Sequence, residues 1–272
     1  EKELSDDNVE KKWNTVGSSM TVYNLALLEH FKTSSNDFFI NSVGGESYGM
    51  IAAAIASNAL SLEDGLKVAN YTLGSIYKYA HKNSVGTWHI VSLSGSSVYQ
   101  QLEDINRTFP HGFDIFRWQK IALNNHEIHA YIHHSIFNEI RDFINNSFQF
   151  FRPDIPIVAN NGTGIASAKD EVRNLILDMV NAPMYSAQSF HYIDELLPAN
   201  TDAIVEFGYG QKTRPFIDEH GVKQYFFEYF GCEQSLKQTI RSVKSIKHLA
   251  TISPTPTNSL QNGSQVIMDV AS

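Results

Sequence analysis

One cysteine in 272 residues, Cys232, leaves the chain without an intrachain disulfide. Its apolar, aromatic surroundings in sequence read as a core thiol and not a nucleophile. Charge is sparse as well: Asp, Glu, Lys and Arg make up 18% of the chain, and 29 acids outnumber 21 bases to give a net charge of −8. That balance argues against nucleic acid or an anionic membrane surface as the main partner. No apolar run is as long as a membrane span, and no internal repeat is found. His126, His129, His133 and His134 crowd into a short stretch, and on one helix His126 and His129 would share a face with His133 a turn beyond. No carboxylate or cysteine pattern completes a ligand set around them, so neither a metal nor another cofactor is expected. The segment opening at Glu1 is highly charged and shows no signal-peptide pattern, which makes the reducing cytoplasm the expected location. Both ends read as boundaries, of an excised domain or of a trimmed chain.

What is present is a globular composition, 42% hydrophobic, sufficient for a full core in one large α/β domain, alone or carrying a smaller insert. Apolar residues at helical spacing from Trp13 to Phe31 predict a helix that leads into a strand over Phe38 to Val43. Met50 to Leu60, alanine-rich and apolar nearly all round, predicts a buried helix. Ser61-Leu62-Glu63-Asp64 predicts the start of another, with Ser61 as its cap and the acids in the first turn, running on towards Tyr79. Trp88 to Leu93 and Phe113 to Ala122 read as strands flanking a helical stretch over Ser96 to Asn106, a small α+β unit. Beyond it come a proline-opened strand over Arg152 to Asn160, a helix over Lys169 to Val180, and a buried strand, Ala203 to Phe207, closed by Gly208-Tyr209-Gly210. Strands and helices alternate on both sides of the central unit, which predicts a parallel sheet with helices on its faces. Thr251 to Ser272, rich in Ser, Thr, Asn and Pro, reads as linker or surface tail.

Chemistry concentrates at Gly45-Glu46-Ser47-Tyr48-Gly49. A serine bracketed by glycines between a strand and a helix is the pattern of a nucleophile elbow, in which a tight turn lifts the hydroxyl clear of its neighbours. The helix that follows aims free N–H groups at an oxyanion formed on the acyl carbon. An ordinary glycine-bounded turn with a solvated serine is the competing reading.

In these residues the chain resembles the acyl-CoA:acyl-carrier-protein acyltransferases of fatty-acid and polyketide synthesis, the malonyl transferase family. Its Gly-His-Ser-Leu-Gly-Glu elbow, alanine-rich helix and Ala-Leu-Ser-x-Glu-Asp segment are matched, at the same spacing, by Gly45 to Met50, Ile51-Ala52-Ala53-Ala54 and Ala59-Leu60-Ser61-Leu62-Glu63-Asp64. Its Phe-His-Ser, Ile-Pro-Val-Val-Ser-Asn and Glu-Val-Gly-Pro-Gly motifs are similar to His133-His134-Ser135, Ile155-Pro156-Ile157-Val158-Ala159-Asn160 and Glu206-Phe207-Gly208-Tyr209-Gly210. The resemblance runs from about Trp13 to about Ile217. It implies an α/β-hydrolase-like large domain over residues 1–84 and 153–235, a ferredoxin-like insert over 85–152, and a C-terminal helix with linker or tail over 236–272. Ser47 would be the nucleophile and His134 the general base, with the Met179 carbonyl steadying the imidazole and the Tyr48 N–H serving the oxyanion. Acyl-CoA or acyl-carrier-protein thioesters would be the substrates, a carrier protein the partner, and a larger synthase the setting.

The departures are specific. Nothing before Trp13 matches the family's first strand and its Gly-Gln-Gly-Ser-Gln loop, which supplies the second oxyanion donor; either it lies outside this chain or the oxyanion hole is incomplete. The elbow histidine and glutamate are replaced by Glu46 and Met50, both bearing on the acyl pocket. Ser47 and His134 are also closer in sequence than the family leads one to expect, which shortens the insert. Thr72 stands where malonyl-selective relatives place an arginine that pairs with the malonyl carboxylate. A threonine cannot neutralise a desolvated carboxylate, and leaving that charge unpaired costs several kcal/mol, so a non-carboxylated acyl group is expected. Transfer between thioesters is the leading activity, release of stalled acyl groups to water the alternative, and a catalytically impaired docking domain the third reading. Arg117 and Lys120 are the other cations within reach of such a pocket. Lys212 and Arg214 could face an acidic carrier, while His191 reads as helix packing and Glu206 as a solvated strand end.

Overall fold

The computed structural model describes residues 6–34, 38–45, 47–82, 89–94, 114–122, 125–131, 134–161, 163–181, 201–207, 225–229, 237 and 264–270. They form an α/β fold around a six-stranded sheet, with a separate three-stranded antiparallel sheet. Helix α1, Asp6–Ser34, is longer than its apolar spacing predicts and buries Leu27, Leu28 and Phe31. It leads into strand β1, Phe38–Gly45, and from there through the Ser47 turn into helix α2, Gly49–Ala56. Helix α3, Leu62–Lys82, starts as read: the Ser61 hydroxyl accepts the Asp64 N–H at 3.0 Å, with Glu63 and Asp64 in the first turn. The α1–α3 contact depends on a glycine, because a Cβ on Gly17 would come within 2.9 Å of the Ala69 carbonyl oxygen.

α2 is buried from Gly49 to Ala54, the all-round apolar helix the sequence predicts, but it stops at Ala56. Asn58 adopts the left-handed conformation at φ 60°, and the N–H groups of Ala59 and Leu60 both donate to the Ala54 carbonyl, at 2.9 and 3.2 Å. Asparagine tolerates that conformation better than most residues, so the helix ends here and turns back.

Strands β2, His89–Ser94, β3, Asp114–Ala122, and β4, Asn125–Tyr131, make the small sheet in the order β2-β4-β3. The histidine cluster is therefore not on one helix. His126 lies opposite Leu93 and Lys120, and His129 opposite His89 and Arg117. Helix α4, His134–Ser147, follows and buries Ile136, Ile140 and Ile144 at four-residue spacing against the core. Its Phe143 ring stacks on Tyr71 of α3 with centroids 3.7 Å apart.

The proline-opened strand shrinks to β5, Ile157–Val158. Pro153 and Pro156 have no N–H for a ladder, and the N–H groups of Phe151 and Asp154 go instead to the Ala59 and Ser57 carbonyls, at 2.9 and 2.8 Å. Then come β6, Ile165–Ala166, helix α5, Lys169–Asn181, and strands β7, Thr201–Phe207, β8, Tyr225–Tyr229, and β9, Ser264–Val270. The large sheet runs β6-β5-β1-β9-β7-β8, parallel apart from the β5–β6 pair. β9 overturns the reading of 251–272 as linker or tail: Ser264–Val270 is a central strand. The signal was present, Val266-Ile267-Met268 after the turn pair Asn262-Gly263, but the surrounding polar composition masked it.

Phe31 of α1 meets Phe207 of β7 edge-on at 5.6 Å, which anchors the first helix to the sheet. Both rings are fully buried, worth about 2 kcal/mol each by area.

Candidate active site

Ser47 sits in the turn between β1 and α2 with φ 51°, one of two described non-glycine residues at positive φ, and only 8% of its surface is exposed. A left-handed serine costs about 1 kcal/mol or more, so the surrounding turn has to enforce it. Part of the enforcement is visible: a Cβ on Gly45 would overlap the Gly49 carbonyl and the Met50 nitrogen, so the end of β1 and the start of α2 approach as only glycine permits. The Met50 N–H donates to the Ser47 carbonyl at 3.0 Å and the Ile51 N–H to the Tyr48 carbonyl at 3.1 Å, which winds the turn directly into the helix. Tyr48 is the N-cap, in right-handed helical conformation, so its N–H lies at the positive end of the α2 dipole next to the nucleophile candidate.

Met50 is fully buried beneath the turn. Met179 lies in the last turn of α5 and is 2% exposed. Its carbonyl is among the last four of the helix, which have no partner further along it and stand at the negative end of the dipole. The Asn161 amide donates to Asp178 at 2.7 Å and ties that last turn to the end of β5. His134 is the first residue of α4; its side chain, like Glu46 and His133, lies outside the described residues. His191, Lys212, Arg214 and Cys232 lie outside them too.

Thr72 is fully buried on α3 along with Val68, Ala69 and Ile76, and its hydroxyl has no hydrogen-bond partner among the described residues. Helical threonines commonly satisfy their hydroxyl on a carbonyl one turn back, as Thr21 does on Gly17 at 3.0 Å. An unmet buried hydroxyl costs about 1–3 kcal/mol, and such a group needs an explanation other than packing.

Glu206 corrects the sequence reading. It is fully buried, not a solvated strand end. In the ladders it lies beside Asp269 of β9 and Glu228 of β8, and Asp269 lies beside Gly44. Glu206 is in register, through β9, with Gly44 and not with Gly45, the residue that faces α2. Sequence spacing did not show it, because the three acids come from strands far apart in the chain.

No family model matches the sequence, and no curated protein matches it. Solved structures do. The chain is similar to the malonyl-CoA:ACP transacylase of Synechocystis, with a TM-score of 0.65 and 11% identity over 83% of this chain and 80% of that one. It is similar to the malonyl CoA-acyl carrier protein transacylase of Clostridium perfringens, with a TM-score of 0.67 and 15% identity over 88% and 82%. A type II PKS acyl-carrier protein in complex with its malonyl-transacylase matches at a TM-score of 0.66 and 10% identity over 85% and 82%. With the serine elbow, the sheet and the small antiparallel unit in place, the chain has the α/β fold of the malonyl-CoA:acyl-carrier-protein transacylases.

Proposed function

We propose that this chain is a serine acyltransferase that moves an acyl group between CoA and acyl-carrier-protein thioesters through an acyl-Ser47 intermediate. The observation that carries the reading is Ser47 itself, held left-handed at the β1–α2 turn, where a glycine-only approach puts it at the head of a buried helix. The fold shared with transacylases, one of them in complex with its carrier protein, supports the same chemistry and the same kind of partner.

In loading, the Ser47 hydroxyl passes its proton to His134 and its oxygen bonds to the thioester carbonyl carbon. The charge that gathers on the carbonyl oxygen is met by the Tyr48 N–H and the α2 dipole. The carbon–sulfur bond breaks, and the CoA sulfur leaves with the proton held by His134. A carrier-protein thiol then runs the sequence in reverse. The Met179 carbonyl, at the negative end of α5, steadies the imidazolium between the two proton transfers. Glu46 and Met50 flank the serine, and Thr72 holds the position from which a cation would receive an acyl carboxylate. With threonine there and an acid at position 46, the preferred group is acetyl or a longer neutral acyl chain.

The test is transfer from radiolabelled acetyl-CoA to a phosphopantetheinylated carrier protein, with free acetate measured in parallel. Carrier-bound label is the expected main product. Acetate as the main product, with label passing through the protein, would make the chain a hydrolase. His134→Ala should slow loading about a thousandfold, and His133→Ala only a few-fold; the reverse would move the base by one position.

A further inference from the structure

β1 and β7 meet only through β9. β9 pairs with β1 from Phe38↔Ser264 to Gly45↔Val270, and with β7 from Thr201↔Gln265 to Phe207↔Val270. Without it the sheet would part into β6-β5-β1, which carries the elbow, and β7-β8, which carries buried Glu206. The three central strands end level at Gly45, Val270 and Phe207, and Ser47 follows two residues past the first of these. Parallel sheets take their ligands in the crevice outside these carboxyl ends, so the end of β9 is the strand end adjacent to the elbow on its β7 side. On the other side, β5 reaches β1 only at Val43 and Gly44.

We propose that β9, the last described strand in the chain, is the positioning strand of the acyl site. Its seating between β1 and β7 fixes the height of the Ser47 turn, and the backbone at Asp269-Val270 forms the wall of the crevice beside Ser47. The parallel pairing is attainable because more than thirty residues separate Tyr229 from Ser264, ample for a crossover. This inference rests on reading Ser47 as the nucleophile.

The experiment uses the full chain with Cys232→Ser and the in-register pair Val205→Cys with Met268→Cys. Neighbouring strands put such Cα atoms about 4.8 Å apart, within disulfide reach. The disulfide should form, and the oxidised protein should keep fluorophosphonate labelling of Ser47 to a higher urea concentration than the reduced one. The displaced pair Val205→Cys with Gln265→Cys should not close. As a second arm, Val270→Pro, which removes one ladder N–H at the end of the strand, should slow labelling at least tenfold with its melting temperature within a few degrees of wild type. Failure of the in-register disulfide, closure of the displaced pair, or wild-type labelling of Val270→Pro would each overturn the proposal. Should wild type itself take no label, the nucleophile reading fails, and the two cysteine pairs still decide the place of β9.

Discussion

The left-handed Ser47 and the unmet Thr72 hydroxyl are both local costs, of about 1 kcal/mol and 1–3 kcal/mol, that folding alone does not require. Sites that tolerate such costs are those in which the rest of the structure over-determines the residue. Gly45 shows how: Gly45→Ala would drive a methyl group into the Gly49 carbonyl and the Met50 nitrogen, and should lower stability by about 3 kcal/mol in urea titration. A variant as stable as wild type would mean that the turn can relax and does not hold Ser47 in place. Thr72 answers a different question. Thr72→Arg restores a cation where a carboxylated acyl group needs one, so it should raise the malonyl-to-acetyl loading ratio at least tenfold, with Glu46 limiting the gain. If wild type already loads malonyl faster than acetyl, the cation comes from elsewhere, and Arg117 or Lys120 on β3 become the residues to change.

Among the elements, the helices were the most legible. The Ser61 cap, the buried alanine-rich helix and the start of α5 at Lys169 all follow from local chemistry: a hydroxyl placed for an orphan N–H, an unbroken apolar surface, acids at the positive end of a dipole. Strands near prolines were less so, since β5 keeps two residues of a run that looked like nine. His126 and His129, spaced as for one helix face, lie on strand β4, whose alternation is hidden among polar residues. α5 offers a clean test at this scale. The Glu171 carboxylate accepts the Ser167 and Ala168 N–H groups at 2.7 and 2.9 Å, and those bonds hold its pKa below the usual carboxylate range. A lowered pKa in the folded state stabilises above the unfolded value and is lost as the pH falls through the folded one. Glu171→Gln should therefore lower stability by about 0.5 kcal/mol at neutral pH, the side chain being exposed, and the gap from wild type should close below about pH 4. A gap independent of pH would assign the effect to shape and not charge.

For the molecule as a whole, the pieces nearest the elbow could be read from the sequence, and the assembly could not. Gly45, Ser47 and Gly49 declare the turn because its geometry is local, and at Gly45 only glycine fits. Strand order is a long-range property: the three residues of β9 that carry strand signal, Val266 to Met268, are too few to outweigh the polar segment around them, and nothing nearby announces that they belong between β1 and β7. Buried Glu206 was missed for the same reason, since its burial comes from neighbours remote in sequence. The likeness to transacylase structures at 10 to 15% identity shows the same division, a fold retained while most side chains differ.

Acylation of Ser47 is the step on which the proposed chemistry turns. Incubation with acetyl-CoA, rapid acid quench and intact-mass measurement tests it directly. One acetyl adduct per chain is expected, mapped by peptide fragmentation to Ser47 and absent from a folded Ser47→Ala variant. An adduct that persists in Ser47→Ala, or one that maps to Cys232 or another side chain, would contradict it.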